Sequence, residues 1–392
     1  MTTKFLHTAD WQIGKNYDRI SDDDKRGKLR QARLDSLEKL GDVAREKQAD
    51  FLLAAGDLFD SPTSDKNTLA AGLGAIGKIG IPVYAIPGNH DHGGPAGFWE
   101  TDYFLGQKND LAPNLAVLLK PEPFETETAW ILPCPLVRRA DASDPTGWIR
   151  SAELERIQAG NKPVILLAHG STQSFGGGSA YGDEEGDESA PNLIRLAQLP
   201  SGLVDYAALG DWHGTKEIET WAFYSGTHEP DRFTKGGDHD PGNILFVEVE
   251  RGRKVRTEKI RTALTAWHAL NFEFTDENSL ELLQQKFAEL FGDRVDKDLL
   301  QLKLSGRLGL EARTQLDTLL DKLSARLLRL KLENGVQVAP TVEEINELAH
   351  RTTDPLIGLV AKTLIEKCRQ PGEEADTASL ALQELFTAVH SR

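Results

Sequence analysis

Five apolar runs of this sequence end in an oxygen or imidazole side chain. Asp10 and Gln12 follow Lys4 to Ala9, and Asp57 follows Phe51 to Ala55. Asn89 and His90 come just after Ile81 to Ile86, His169 closes Val164 to Ala168, and Asp211 and His213 follow Val204 to Leu209. Gly56, Gly88 and Gly210 stand immediately before three of the groups, where a turn must leave a strand. A lone His after a strand, or a lone Gly-Asp, is ordinary structural sequence. Taken together, the groups have the chemistry a pair of divalent cations requires: many hard ligands, with one carboxylate shared between the ions.

To meet, these residues must sit beyond the carboxyl ends of strands in one α/β sheet edge, where an open crevice forms. The spacing of Leu34, Leu37, Leu40 and Ala44 predicts a helix over 24–48, and a second is expected over 64–78, so the opening reads βαβαβ with a mostly parallel sheet. Strands are expected at 115–119, 128–133, 204–209, 221–226, 243–250 and 255–260, and a helix near 145–159. The Gly-, Ser-, Asp- and Glu-rich stretch 171–190 reads as a loop beside the site, and Arg251-Gly252-Arg253-Lys254 as a hairpin turn. Past Thr262 the pattern changes. Helical spacing at 280–291 and 311–328, with strands at 299–304 and 328–332, predicts a small α/β unit over 271–335. A helical tail follows over 336–392, with Glu344 placed for a capping box, Asp354-Pro355 opening one helix and Asp376 capping another.

The chain has 392 residues and a hydrophobic fraction of 39%, enough for one large core and a smaller one. Its formal charge of −16 excludes a protein that coats nucleic acid through its net field, though not a nuclease with a local basic lip. No apolar run approaches the roughly 20 residues of a membrane span. Met1-Thr2-Thr3-Lys4 leads straight into a strand, and Cys134 and Cys368 show no redox or zinc spacing, so a reducing cytoplasm is the expected location.

The series Asp-x-Gln, Gly-Asp-x-x-Asp, Gly-Asn-His-Asp, His-Gly and Gly-Asp-x-His resembles the calcineurin-like metallophosphoesterase superfamily. The opening His7-Thr8-Ala9-Asp10-Trp11-Gln12-Ile13-Gly14-Lys15, with Ser225-Gly226-Thr227 and Pro241-Gly242-Asn243, is similar to its SbcD-like DNA repair exonuclease branch. The resemblance implies a four-layer αββα sandwich over 1–270, followed by the α/β cap and the tail, with two manganese ions, or magnesium, at the sheet edge. It implies that Asp10, Gln12, Asp57 and His213 hold one ion and Asp57, Asn89, His169 and Asp211 the other. The commonest pattern of that family has His at the positions of Gln12 and Asp211. Each of these two either ligates metal, in a harder and more oxygen-rich site, or positions a water or His90 instead. His90, beside Asn89, is expected to stabilise charge on phosphorus or protonate the leaving oxygen. His7 and His92 are second-layer candidates, set against a packed His7 and a solvated His92, and His228 has no assigned role.

For substrate, Trp11 and Trp212 stand beside ligands and are candidates to stack a base, with walls of the site as the alternative. Arg251 and Arg253 belong to the densest basic run and are candidates for a phosphate path, set against a solvated strand surface. The expected activity is that of a manganese-dependent nuclease on DNA that is single-stranded or has exposed ends. An SMC-like coiled-coil ATPase or a helicase is its expected partner, docked on the tail, with a homodimer as a further arrangement and no membrane involved. A nucleotide or small-molecule phosphoesterase, and an attenuated fold serving as assembly subunit of an ATPase, stand as alternatives.

Overall fold

The computed structural model describes residues 2–151, 154, 157, 160–172, 191–234, 239–275, 279–338, 342–369 and 373–390. The chain divides into two compact units, 1–266 and 267–392.

In the first unit β1 (Thr3–Thr8), β2 (Phe51–Ala55), β3 (Val83–Ile86) and β4 (Leu115–Val117) run parallel. Between them come the helices α1 (Asp23–Lys47), α2 (Lys66–Lys78) and α3 (Asp102–Leu111). Asp22 caps α1 and Asp65 caps α2 through their side chains, and α1 carries acids in its first turn and Arg45 and Lys47 in its last, as the helix dipole favours. A second sheet follows: β5 (Phe124–Glu125), β6 (Trp130–Cys134), β7 (Val164–His169), β8 (Tyr206–Gly210), β9 (Lys216–Glu219) and β10 (Ala222–Tyr224), with β6, β7, β8 and β10 parallel. The chain then returns to the first sheet as β11 (Asn243–Val249), antiparallel to β1, and β12 (Arg256–Arg261), antiparallel to β11. The sheet orders are β12-β11-β1-β2-β3-β4 and β5-β6-β7-β8-β10-β9.

Strands buried on both faces need near-continuous apolar sequence, which Phe-Leu-Leu-Ala-Ala and Val-Ile-Leu-Leu-Ala supply. Leu6, Leu52 and Ala54 face α1 and α2, whereas Phe5, Leu53 and Ala55 face Ile165, Leu167 and Tyr206 of the second sheet. A further core, with Leu166, Ile149, Leu154 and Ile157, backs that sheet on its other side. These layers make the αββα sandwich. His7 points between the sheets, its Nδ1 2.8 Å from Tyr206 Oη and its Nε2 3.2 Å from the Leu209 carbonyl. Burial lowers its pKa to about 3, so it is a neutral core histidine.

Several local expectations change. Gly147–Arg150 is a 3₁₀ turn at the head of the helix expected over 145–159; residues 152–153, 155–156 and 158–159 lie outside the described residues, as do 173–190 of the expected loop. The helix Asp102–Leu111 was not expected, since Gly106 and Asn109 weaken its propensity; Thr101 caps it. Cys134 and Cys368 are free, and burial pushes the Cys134 thiol up to about 12, which makes it inert.

The second unit opens with β13 (Trp267–Phe274), a strand that the reading of 1–270 and 271–335 as separate domains cut through. It pairs in parallel with β14 (Leu299–Leu308), which also pairs with β15 (Arg329–Asn334) and β16 (Gln337–Val338). The helices Ser279–Phe291 and Leu310–Arg326 supply Leu283, Phe287, Leu316 and Leu320 to a core with Leu302 and Leu304. The helices Val342–Ala349, Pro355–Cys368 and Glu373–His390 enclose their own small core of Leu348, Ala361, Leu382 and Phe386. Pro355 opens its helix as expected, but Asp376 lies inside the last one. Among the described residues no helix is long and apolar enough to cross a membrane.

Candidate metal centre

Strands β1, β2, β3, β7 and β8 deliver their carboxyl ends to one place. Asp10, Gln12, Asp57 and Asp211 all take positive φ, at 54°, 41°, 55° and 99°. Non-glycine residues persist there only when their surroundings impose it, and such strain gathers at functional sites. The surroundings are backbone bonds between loops: Asp10 N–H donates to the Gly56 carbonyl at 3.1 Å and Gln12 N–H to the Asp57 carbonyl at 2.8 Å. Two glycines give the ligands room. A Cβ on Gly88 would lie 2.2 Å from Asp57 Oδ1, and one on Gly56 2.3 Å from His169 Nδ1.

The side chains converge. His90 N–H donates to Asp57 Oδ1 at 2.8 Å, and Asp211 N–H lies 3.2 Å from both Asp10 carboxylate oxygens. His169 Nδ1 is 2.8 Å from the Ala55 carbonyl, which only accepts, so Nδ1 carries the proton and Nε2 is left bare in the neutral ring. That Nε2 is buried with no hydrogen-bond partner, and it faces Asp57 Oδ1 at 3.6 Å and Asp211 Oδ1 at 3.7 Å. A lone pair set against two carboxylates must be taken up, either by a proton or by a metal ion. Asn89 Oδ1 is likewise buried and unpartnered, while its amide nitrogen donates to Asp211 Oδ1 at 3.3 Å. Ligand atoms of Asp10, Asp57 and His169 all lie within 4.8 Å of one another. The donor set fits a hard divalent cation held by carboxylates, an amide oxygen and one imidazole.

His213 completes the other end. Its Nδ1 donates to Asp231 Oδ1 at 3.1 Å, which leaves Nε2 turned toward Asp10 Oδ1 at 4.0 Å. Burial lowers its pKa to about 4, so the ring is neutral and ready to ligate. His169 differs: burial disfavours its charge, but Asp57, Asp10 and Asp211 outweigh it and raise the pKa to about 9. Burial also raises Asp10 and Asp211. In the metal-free protein at neutral pH a proton therefore occupies His169, and a cation must displace it. Manganese affinity is expected to rise by about tenfold per pH unit from about pH 6 to about pH 9, with at least one proton released per ion bound. Calorimetry near neutral pH in buffers of different ionisation enthalpy measures this, and zero proton release would contradict it.

The structure thus brings together Asp10, Gln12, Asp57, Asn89, His90, His169, Asp211 and His213. Three other candidates need correction. Trp11 is wholly buried and donates from Nε1 to Thr8 Oγ1 at 3.0 Å, so its ring is a core group and not a stacking platform. Arg251 and Arg253 lie at the far end of the first sheet. Val249 pairs with Thr3, whereas Leu245 pairs with His7, so the turn after β11 sits beyond the amino end of β1. At about 3.3 Å per residue that is roughly 20 Å from Asp10. There Arg251 binds Asp205 at 2.9 Å and Arg253 binds Glu250 at 3.1 Å. Trp212 is half-buried, edge-on to His239 with ring centroids 4.7 Å apart. His92 is half-buried and His228 fully buried, with Nε2 2.9 Å from the Arg33 carbonyl.

Sequence reasoning missed four supporting residues. Arg33, buried in α1, donates to the carbonyls of Trp11 at 2.6 Å and Glu229 at 2.9 Å and so fixes the first ligand loop. Its signal was a cation on the apolar stripe, one turn from Leu29 and Leu37. Asp91 accepts from Phe59 N–H at 3.0 Å and Gly88 N–H at 2.7 Å and ties the second loop to the third. Burial chiefly, and then Asp57, raises its pKa to about 7. Asp231 and Lys15 complete the surroundings of His213 and Gln12.

The family model described as calcineurin-like phosphoesterase matches residues 3–215. Among solved structures, that of TT1561 of Thermus thermophilus matches at 15% identity over 67% of this chain and 100% of that chain, with a TM-score of 0.41. Another matches at 14% identity over 66% of this chain and 99% of that chain, with a TM-score of 0.37.

Proposed function

This chain belongs to the calcineurin-like phosphoesterase family, and from that premise we propose that it is a manganese-dependent nuclease that hydrolyses phosphodiester bonds of DNA. The observation that supports the hydrolytic part is the buried Nε2 of His169, without a hydrogen-bond partner and facing the Asp57 and Asp211 carboxylates, a position that a divalent cation can take once it displaces the ring proton. Support for DNA as substrate comes from the motifs shared with the SbcD-like branch and from the second unit of 267–392 that follows the catalytic one. Leu356, Leu359 and Leu380, more than 60% exposed on the tail helices, support a docking role for a coiled-coil ATPase.

Asp10, Asp57, Asn89, His169, Asp211 and His213 would hold the metal. When bound, divalent cations supply Lewis acidity toward phosphate and a water activated for attack. The remaining work falls to the chain. Asp57, through its Oδ1, fixes the backbone of His90 beside the ligands. The Asp60 carbonyl, 3.0 Å from His90 Nδ1, accepts a hydrogen bond from Nδ1–H and leaves Nε2 as the atom offered to substrate. The ring is about one-third exposed, so Nε2 can reach a bound phosphate or its leaving oxygen. Acting as general acid, His90 gives the leaving oxygen a proton from Nε2 as the P–O bond breaks.

The test compares oligonucleotides, single-stranded and duplex, with nucleotides and bis-p-nitrophenyl phosphate, each with manganese. Cleavage of at least one DNA form, at kcat/KM on the order of tenfold or more above that for nucleotides, is the expected result. Hydrolysis of nucleotides with every DNA form left intact would instead assign a small-molecule phosphoesterase, the reading that the net charge of −16 favours.

A further inference from the structure

The two ends of the metal centre are unequal. Toward Asn89 and His169 the ligand atoms have no hydrogen-bond partner. Toward Asp10, Gln12 and His213 the chain supplies its own cations. Lys15 Nζ lies 2.5 Å from Gln12 Oε1, 3.1 Å from Asp231 and 3.7 Å from Asp60. An ammonium can only donate, so the amide atom that faces it is the oxygen. The amide NH₂ of Gln12 is therefore the group turned to His213 Nε2, at 3.5 Å. An NH₂ group has no lone pair to give a metal. Arg232 adds a second cation, with Nη2 3.1 Å from His213 Nδ1 and 3.5 Å from its Nε2.

Resting on the reading of this cluster as a metal centre, we propose that Lys15 is the resident cation of the Gln12 end. It occupies Gln12 Oε1, so one divalent cation binds tightly at Asp10, Asp57, Asn89, His169 and Asp211 and the second binds weakly. The second ion must take the amide oxygen from an ammonium and lie beside two positive side chains, a like-charge penalty that weakens it by on the order of tenfold or more. Asp231 and Asp60 hold Lys15 in place, which is why the ammonium does not simply swing into water. Lys15 is thus a positioning residue that sets how many ions the centre carries at a given metal concentration.

The test is titration of manganese alone into the metal-free full chain, followed by calorimetry and by electron paramagnetic resonance. The expected result is a single-ion spectrum up to one equivalent, with a spin-coupled pair appearing only as a second, weaker equivalent fills. Lys15→Met keeps the apolar stem and removes the charge, and is expected to bring the second affinity to within about threefold of the first. Equal affinity for two equivalents in the wild type, a coupled pair below one equivalent, or unchanged constants in Lys15→Met would each overturn the proposal while leaving the metal centre standing. No bound manganese at all would remove the metal reading itself. Because the wild-type spectra decide without a variant, a Lys15→Met chain that fails to fold does not blunt the test.

Discussion

Asp57→Asn is expected to lower turnover by about 10⁴-fold, on the order of 5 kcal/mol of transition-state stabilisation, while leaving the fold intact. The side chain is isosteric and its Oδ1 can still accept from His90 N–H, so the packing around the second ligand loop is kept. What disappears is the negative charge that lies 3.6 Å from His169 Nε2 and within reach of Asp10. In the metal-free protein the Asp57 charge acts both ways: it raises the pKa values of Asp10 and Asp91, after burial in both cases, and it helps to hold the proton on His169. The metal-free variant is therefore expected to unfold within about 1 kcal/mol of the metal-free wild type. Thermal unfolding in chelator, beside manganese calorimetry and turnover, checks both halves. A variant that still binds manganese and turns over within about tenfold of the wild type would remove Asp57 from the centre.

The positions that converge on the candidate centre were legible in the sequence because each one follows an apolar strand, and an abrupt change from apolar to polar, potentially ligating chemistry survives without any knowledge of tertiary structure. The residues that hold the ligands were not, because their partners lie far away in the chain. Arg33 reads as one more charge on a charged helix until its contacts with Trp11, 22 residues earlier, and Glu229, 196 residues later, are known. Asp91 stands inside a recognised motif, yet nothing in Gly-Asn-His-Asp says that its carboxylate turns inward to Phe59 and Gly88. Trp11 illustrates the converse error. Adjacency to a ligand suggested contact with substrate, but the tight turn that gives Asp10 and Gln12 positive φ sends the residue between them into the core. Arg251 and Arg253 failed for a reason of register: a hairpin after an antiparallel strand returns to the opposite end of the sheet from the loops that follow parallel ones. The alternation of Leu270, Phe272 and Phe274 in β13 begins just where the composition shifts, so the boundary expected at 270/271 falls inside a strand.

His90→Asn is expected to separate binding from chemistry. His90 contributes its backbone N–H to Asp57, which Asn retains, and its ring is anchored to Asp60 rather than to any of the ligand atoms that face one another. Manganese stoichiometry and affinity should therefore stay close to those of the wild type while kcat on DNA falls by about 10²–10⁴-fold. The size of the loss should depend on the leaving group. A deoxyribose alkoxide leaves poorly and needs the proton that imidazolium supplies, whereas p-nitrophenolate leaves well without one. If His90 acts as the acid, bis-p-nitrophenyl phosphate should lose less than about tenfold in the same variant. An equal loss on both substrates would mean that the ring acts on the phosphate oxygens instead, since charge there grows whatever the leaving group. Loss of bound manganese in His90→Asn would contradict both roles and make the ring part of the metal shell.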